Sequence, residues 1–262
     1  MSLTGKTIAS SYKDILQMNN SNSGVDATTR NVVDGEGTAS ALNLSDDVAT
    51  IKPQNDNTTA SFLVEDKDGT DLFTVDSTNA AVRATNGNYV NTQYQRFSIY
   101  RAIASAGYHY SMHLGGSTSQ RGGANLGNGS DPSTTYDLSG DTGYPELVPL
   151  TYWYLPDAIT IDSVSVLTSG YGTGTGTDIH FHLMSYDMST SAGSYGDLSN
   201  GTVLFNSSAD VEDIVETAII QQTLSSVSTS VAAGKIIVAT FEEVASAGAD
   251  AQASMTVKYH LT

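Results

Sequence analysis

Short runs of apolar residues that alternate with small polar ones occupy most of the chain from about residue 39 onward. Side chains two apart in a β-strand project to the same face, so this alternation predicts half-buried strands. The early runs are short and lie at residues 41–45, 48–51, 62–64 and 72–75. The segment Asp66-Lys67-Asp68-Gly69 between the last two is typical of a hairpin turn. The first third of the chain is therefore predicted to consist of narrow β-hairpins.

Further runs of the same kind fill the last hundred residues. They cover residues 159–167, 178–186, 202–205, 218–224, 235–241 and 255–261. Antiparallel strands at this spacing are typical of a β-sandwich or jelly roll. Before them, residues 115–143 are rich in Gly, Ser and Asn and show no periodicity, which predicts a long surface loop. We therefore expect an all-β chain that ends in an antiparallel sandwich.

One short helix is predicted, near the start of the chain. Residues 11–18 place Tyr12, Ile15 and Leu16 on one helical face, behind a serine that can cap the first turn. A helix of this length is not stable alone in water, so its apolar face is expected to dock on another surface.

These patterns divide the chain into four parts. They are an N-terminal anchor with the short helix (residues 1–37), a thin β-module (38–91), a connector with the glycine-rich loop (92–148) and a β-sandwich head (149–262). The narrow faces of the β-module bury too little surface in one copy to offset the entropy lost on ordering its strands. Further copies of the chain would supply the missing core, so the N-terminal third is expected to belong to an oligomer.

Charge and composition exclude several classes of function. The chain has 11 Lys and Arg against 28 Asp and Glu, a net charge of −17 that repels phosphate backbones and anionic lipid headgroups. The absence of cysteine excludes disulfides, thiolate metal sites and cysteine nucleophiles. No apolar run approaches the roughly 20 residues of a transmembrane helix. We expect no nucleic-acid partner and no membrane insertion.

Catalytic motifs do not emerge from the sequence. The serine-rich stretches do not follow the strand-to-helix pattern of a Gly-x-Ser-x-Gly nucleophile elbow. The acidic residues at 210–216 fall in one run, which is more typical of a solvated surface than of paired catalytic carboxylates. The chain is therefore not predicted to be an enzyme.

Six of the 14 tyrosines lie in or beside glycine-rich loops: Tyr108, Tyr110, Tyr136, Tyr144, Tyr171 and Tyr195. An aromatic face flanked by hydroxyl and amide groups suits a sugar surface. Tyr136, Tyr144 and Tyr171 are the candidate glycan contacts. The alternative, which has equal weight, is that these rings hold the loops in place or pack between chains.

His180 and His182 are two residues apart in a predicted strand, so both imidazoles are expected to project from one face. Around a threefold axis, three such pairs would offer six nitrogens to an octahedral transition metal. The alternative is a pair of solvent-facing or inter-strand histidines with no metal.

Several segments within residues 4–84, and one at the end of the chain, together resemble a known family. They are Ser11-Tyr12-Lys13-Asp14-Ile15-Leu16-Gln17, Asn20-Ser21-Asn22-Ser23-Gly24-Val25-Asp26, Asp34-Gly35-Glu36-Gly37-Thr38-Ala39-Ser40-Ala41-Leu42, Ile51-Lys52-Pro53-Gln54-Asn55-Asp56, Val75-Asp76-Ser77-Thr78-Asn79 and Val257-Lys258-Tyr259-His260-Leu261. The chain thereby resembles fibre and decoration-type structural proteins of tailed-phage virions, particularly environmental ones. The resemblance covers about a third of the chain and rests on no catalytic motif.

This resemblance implies a non-enzymatic protein of the virion surface that forms a homotrimer. Its N-terminus, with Tyr12, Ile15 and Leu16, would attach to other virion proteins, and its C-terminus would point outward. The pair His180-x-His182 is similar to the dyads that bind iron on the axis of some trimeric phage fibres. We predict a small tail fibre that adheres to a host-surface glycan. A capsid head fibre or decoration protein and a carbohydrate-binding module are the alternatives.

Overall fold

The computed structural model describes residues 15–21, 23–102, 107–115, 124–138, 150–171, 179–207, 219–243 and 250–262. The chain falls into two compact units, Met1–Val90 and Asn91–Thr262, which we call unit 1 and unit 2. Both are built from antiparallel sheets, so the prediction of an all-β chain is confirmed. Within these ranges, no helix has the length and apolar character needed to cross a membrane.

Unit 1 contains two small antiparallel sheets. The first has the order β1 (Gln17–Met18), β2 (Arg30–Val33), β3 (Ala39–Leu44) and β4 (Ala49–Ile51). The second has the order β5 (Phe62–Glu65), β6 (Asp71–Asp76) and β7 (Ala81–Ala84), followed by a single 3-10 turn at Thr85–Gly87. Both predicted hairpins are present, as β3–β4 and β5–β6.

Two turns of unit 1 share the sequence Asp-x-x-Gly-Thr. In the β5–β6 turn, Asp66 Oδ1 accepts a hydrogen bond from the backbone N–H of Thr70 (2.9 Å), and Gly69 has a φ of 83°. Asp34 accepts the equivalent bond from the backbone N–H of Thr38 (2.8 Å). These backbone donors hold the pKa of both carboxyls below the usual range. A carboxylate that caps the loop and a left-handed glycine thus fix each turn.

The helix predicted over residues 11–18 is not found at residues 15–18, the part of this segment that the structure describes. Residues 11–14 lie outside the described residues, and Ile15 and Leu16 have no regular structure. Gln17–Met18 instead forms β1 and pairs with β2. The backbone groups of β1 are thus used between strands, where a helix would need them within one segment.

Unit 2 contains two larger antiparallel sheets. The first sheet has the order β10 (His113–Leu114), β8 (Thr92–Ala102), β17 (Asp250–Leu261), β12 (Ile159–Tyr171) and β15 (Ile220–Val231). The second sheet has the order β11 (Trp153–Tyr154), β16 (Ile236–Glu243), β13 (Ile179–Met188) and β14 (Leu198–Asn206), and β9 (Tyr110–Ser111) also pairs with β16. Most successive strands therefore belong to different sheets, and β13–β14 is a hairpin within one sheet.

One hydrophobic core lies between the two sheets of unit 2. It takes side chains from both, including Phe97, Ile161, Val166, Phe181, Leu183, Phe241 and Met255. Trp153 of the second sheet contacts two rings of the first, with centroid distances of 6.1 Å to Phe97 and 4.9 Å to Tyr259. The two sheets therefore pack face to face.

Residues 124–138, which we call the covering segment, pack on the outer face of the second sheet. Leu126 and Tyr136 of this segment form a second buried cluster with Met184 and Tyr186 of β13. The Tyr186 hydroxyl donates a hydrogen bond to the Ser133 carbonyl oxygen (2.7 Å). The predicted surface loop over residues 115–143 thus contains a packed part, because its few apolar side chains find a sheet face to cover. Residues 116–123 and 139–143 lie outside the described residues.

The unit boundary differs from most of the divisions predicted from the sequence. It lies one residue from the predicted boundary at 91/92, whereas the boundary at 148/149 falls inside unit 2. Strand β8, placed in the predicted connector, pairs with β17 along its length. The boundary at 37/38 separates β2 from β3, which are neighbours in one sheet.

Candidate functional site

Two of the three predicted anchor residues, Ile15 and Leu16, belong to the described part of the chain. Tyr12 lies outside the described residues. Ile15 and Leu16 precede β1 and are both exposed. They share no helical face, but their exposure leaves them available to a neighbouring protein.

A row of apolar side chains lies uncovered on one face of the second sheet of unit 1. Phe62 lies opposite Val75, which in turn lies opposite Val82. Val64 lies opposite Phe73, and the rings of Phe62 and Phe73 meet edge-on with centroids 6.3 Å apart. Phe62, Val64 and Phe73 are 44%, 40% and 36% exposed. We call these five residues the apolar face.

Part of the opposite face of the same sheet is occupied by contacts within unit 1, and Leu63 and Leu72 on that face are 37% and 43% exposed. The Arg83 guanidinium lies 4.3 Å from the centroid of the Tyr89 ring, and its Nη2 donates to the Tyr89 hydroxyl (3.0 Å). Asp76 accepts a hydrogen bond from the side-chain amide of Asn79 (2.6 Å). Thr74 lies opposite Arg83 and is buried. The opposite face is therefore mixed polar and apolar, whereas the apolar face presents the rings of Phe62 and Phe73.

The two units differ in how well they cover their apolar side chains. Among the described residues, the buried hydrophobic side chains of unit 1 are Val32, Val33 and Ala81. Its exposed large hydrophobic residues are Ile15, Leu16, Val25, Val48, Ile51, Phe62, Leu63, Val64, Leu72, Phe73 and Val90. Most buried hydrophobic residues belong to unit 2. A contiguous exposed patch, such as the apolar face, is typical of an interaction site.

The second candidate site is a group of histidines and carboxylates in unit 2. His180 and His182 project from β13 on the same side as Met184 and Tyr186, away from the main core, as the alternation predicts. His182 is fully buried by the chain itself. Its ring meets the His109 ring edge-on, with centroids 4.8 Å apart.

Two carboxylates complete this group, which we call the histidine cluster. Asp131 of the covering segment places Oδ1 3.5 Å from His182 Nε2. Glu242 of β16 places Oε2 3.8 Å from His109 Nδ1 and 3.7 Å from His180 Nδ1. His109 Nε2 donates to the carbonyl oxygen of Gly129 (2.8 Å), which ties the cluster to the covering segment.

Burial keeps His182 uncharged at neutral pH. Burial, with a smaller contribution from His109, lowers the pKa of this imidazole to about 4, although Asp131 opposes the shift. A positive charge on His182, in a site closed to water, would be costly.

The prediction that His180 and His182 hold a metal on an axis between copies does not fit this geometry. His182 is covered by residues of its own chain and cannot face another copy. In the part of the chain that the structure describes, no three His, Asp or Glu side chains are grouped so that they could hold a metal ion.

The predicted glycan contacts are not brought together. Tyr136 is 2% exposed and belongs to the cluster beneath the covering segment, so its ring cannot stack on a ligand. Tyr144 lies outside the described residues. Tyr171 is the last residue of β12, and nothing is described of its side chain.

A cleft that the sequence did not indicate lies beside Tyr136. Its volume is about 310 Å³, and its walls include Tyr108, Asn125 and Thr135. Tyr108 is one of the loop tyrosines, but Asn125 and Thr135 belong to no recognisable motif. Their proximity arises because the covering segment folds back over the start of β9.

No protein-family model matches the chain, and a search of curated proteins finds none that matches it. Among solved structures, the chain aligns with the structure of infectious bursal disease virus Gx strain at 9% identity and a TM-score of 0.19. That alignment covers 72% of this chain and 64% of the other, so the chain spans less than two thirds of it.

A second alignment is with the VP2 subviral particle of infectious bursal disease virus. It has 10% identity and a TM-score of 0.13, and it covers 79% of this chain and 74% of the other. At these TM-scores neither alignment carries an argument about the fold or the function.

Proposed function

We propose that this chain is a non-enzymatic structural protein of a tailed-phage virion, in which unit 1 assembles with other copies and unit 2 is displayed at the particle surface. The observation that carries the proposal is the apolar face of unit 1. An uncovered apolar sheet face is typical of an interaction site, because a partner that covers it removes apolar surface from water. The resemblance of residues 4–84 to virion fibre and decoration proteins supplies the biological setting.

Another copy of the chain is the partner that the apolar face suits. With a net charge of −17, identical copies repel each other, so contact is favoured where the surface carries no charge. The five side chains of the apolar face are uncharged. Homo-oligomers close through symmetry, and the family resemblance implies three copies.

For unit 2 we propose a jelly-roll sandwich. The orders β8-β17-β12-β15 and β9-β16-β13-β14, which place most successive strands in opposite sheets, support this topology. Jelly rolls occur both in viral capsid proteins and in lectins, so the topology alone does not select a function.

A small tail fibre that adheres to host-surface glycan is the leading form of the proposal. A capsid head fibre or decoration protein is the alternative, since the apolar face would serve assembly equally well there. A carbohydrate-binding module is less well supported, because a module that works alone has no need of unit 1's uncovered face.

Two measurements test the proposal. Light scattering on the full chain should give a mass near three times that of one 27.5 kDa chain. A monomer at micromolar concentration would overturn the assembly role. Cryo-electron microscopy of intact particles should then find the chain at the surface. Density on the tail would support adhesion, whereas density on the capsid lattice would favour the head-fibre alternative. Its absence from particles would overturn the virion role.

A further inference from the structure

We propose that the cleft beside Tyr136 binds one neutral hexose unit of a host-surface polysaccharide. The lining residues on which the argument rests are Tyr108, Asn125, Leu126, Ser133, Thr135 and Tyr136. This inference deepens the proposed adhesive function and rests on it for the source of the sugar. Of the candidate glycan contacts it keeps only Tyr136, as a buried part of the wall, and it adds the loop tyrosine Tyr108.

The mouth of the cleft carries polar groups that are available to a ligand. The Asn125 side-chain oxygen accepts a hydrogen bond from the backbone N–H of Gly127 (3.0 Å), which leaves its Nδ2 group as a donor. Within the described part of the chain, no partner is found for Asn125 Nδ2, the Thr135 hydroxyl or the Tyr108 hydroxyl. A donor amide and two hydroxyls around one cleft complement the hydroxyl groups of a sugar.

The cleft also offers an apolar surface. Tyr108 lines the cleft, is half-buried and lies 6.4 Å from Tyr110, centroid to centroid, so its ring is held by packing. Leu126 and Tyr136 are buried behind it. An aromatic ring with a polar tip suits the mixed surface of a hexose, whose C–H groups are apolar and whose rim is hydroxylated.

Hydrogen bonds to His109, Tyr186 and Leu198 hold the cleft walls in place. The backbone N–H of Leu126 donates to the His109 carbonyl oxygen (2.8 Å), and that of Ser133 donates to the Leu126 carbonyl oxygen (2.6 Å). The Tyr186 hydroxyl donates a hydrogen bond to the Ser133 carbonyl oxygen (2.7 Å). Tyr136 and Leu198 exchange two backbone bonds of 3.0 and 2.9 Å. A site held in this way loses little entropy when a ligand binds.

Charge and size indicate the class of sugar. Among the described residues that line the cleft there is no Lys, Arg, Asp or Glu, and the chain as a whole is strongly acidic. An anionic sugar would therefore be repelled without a compensating cation. The volume of about 310 Å³ is near the lower end of ligand-binding cavities, which suits a single sugar unit.

Saturation-transfer NMR on the full chain tests this assignment. The probes are the methyl glycosides of glucose, galactose and mannose, with N-acetylneuraminic acid as the anionic comparison. We expect transfer to at least one neutral glycoside and none to the acid. Tyr108→Ala should weaken that binding about tenfold or more. Thr135→Val, a near-isosteric change at an exposed position, should weaken it without affecting the fold.

Tyr195→Ala is the matched control, since Tyr195 is an exposed loop tyrosine of unit 2 that does not line the cleft. It should bind like the unmodified chain. The assignment is overturned if no neutral glycoside shows transfer at millimolar concentration, or if Tyr108→Ala and Thr135→Val both leave binding unchanged. Light scattering on the same samples separates this result from the assembly role. An oligomer that binds no sugar overturns the cleft assignment alone, and a monomer that binds sugar overturns the assembly role alone.

Discussion

The Phe62 ring meets the Phe73 ring edge-on across β5 and β6, 6.3 Å apart, on a sheet face that the rest of unit 1 leaves open. The pair is part of the apolar face, and each ring keeps more than a third of its surface in water. Covering both rings in an oligomer would remove apolar surface from water, and each Å² removed stabilises the oligomer by about 25 cal/mol. Leu63, between Phe62 and Val64, projects to the other side of the sheet and provides a natural comparison.

Phe73→Asp is expected to dissociate the oligomer. The substitution would place a carboxylate from every copy inside a shared apolar contact, where an unpaired charge is strongly disfavoured. We expect the association constant to fall by a factor of 100 or more, an order-of-magnitude value for loss of a central contact. Sedimentation velocity over a concentration series would measure it.

Leu63→Asp is the control for that experiment, because it places the same charge on the same sheet facing the other way. It should leave the association constant within about threefold of the original, as expected at the rim of an interface or outside it. Equal dissociation by both variants would show that charge on unit 1, and not the apolar face, governs assembly.

Unit 2 is expected to lose stability as the pH falls from about 6.5 towards 4. The His182 imidazole binds a proton near pH 6.5 in an unfolded chain but only near pH 4 when folded. Between these values the unfolded state holds more protons, so acid favours unfolding. The loss should reach about 2 kcal/mol by pH 5. Urea unfolding followed by the fluorescence of Trp153, the one tryptophan, would measure it.

His182→Gln isolates the contribution of this histidine. Glutamine does not titrate, so the stability difference between pH 7.5 and pH 5 should shrink even if the variant is less stable at both. An unchanged difference would assign the acid sensitivity elsewhere. The exposed carboxyls with lowered pKa, such as Asp66 and Asp187, are distinguishable because their contribution is lost only at more acidic pH.

Tyr136→Ala is expected to destabilise unit 2 by about 3–5 kcal/mol, as for other buried aromatic side chains. The ring lies in the cluster between the covering segment and β13, and its removal would leave a cavity there. Tyr195→Ala, at an exposed position, should change the free energy of unfolding by less than about 0.5 kcal/mol. Similar stabilities for the two variants would contradict the buried placement of Tyr136.

Local alternation was enough to locate many of the strands. The runs at 159–167 and 235–241 correspond to β12 (Ile159–Tyr171) and β16 (Ile236–Glu243), because each strand has one face in the core. Strand β8 was missed, since few of its inward residues besides Phe97 and Ile99 are apolar. Its place in the sheet depends on pairing with the distant strand β17, whose Asp250 lies opposite Ala102 and whose His260 lies opposite Thr92, and no local pattern reports this.

The candidate sites depend still more on long-range packing. The alternation of His180 and His182 predicts their shared face, but not that Asp131 and His109 would cover it. Equally, a glycine-rich sequence does not reveal that Tyr136 pairs with Leu198 and is buried. Tertiary contact decides whether an aromatic residue in a loop is a binding surface or part of a core.

Gly201→Ala is expected to displace the covering segment. A Cβ at this position of β14 would lie 2.5 Å from the Tyr186 ring and 2.7 Å from the Thr134 Cα, and the second contact is backbone that cannot rotate away. Such overpacking costs about 1–3 kcal/mol. Because Thr134 lies between two residues that line the cleft, hexose binding should weaken together with stability.

Thr202→Ala tests whether that loss comes from the close approach. Thr202 is the next residue of β14, and its side chain is exposed, so the substitution should leave both stability and hexose binding nearly unchanged. Amide hydrogen exchange would locate the effect of Gly201→Ala. Faster exchange at the N–H groups of Leu126 and Ser133, with that of Phe181 in the main core preserved, is the expected pattern. Uniformly faster exchange throughout unit 2 would instead mean that β14 and the covering segment unfold only with the whole unit.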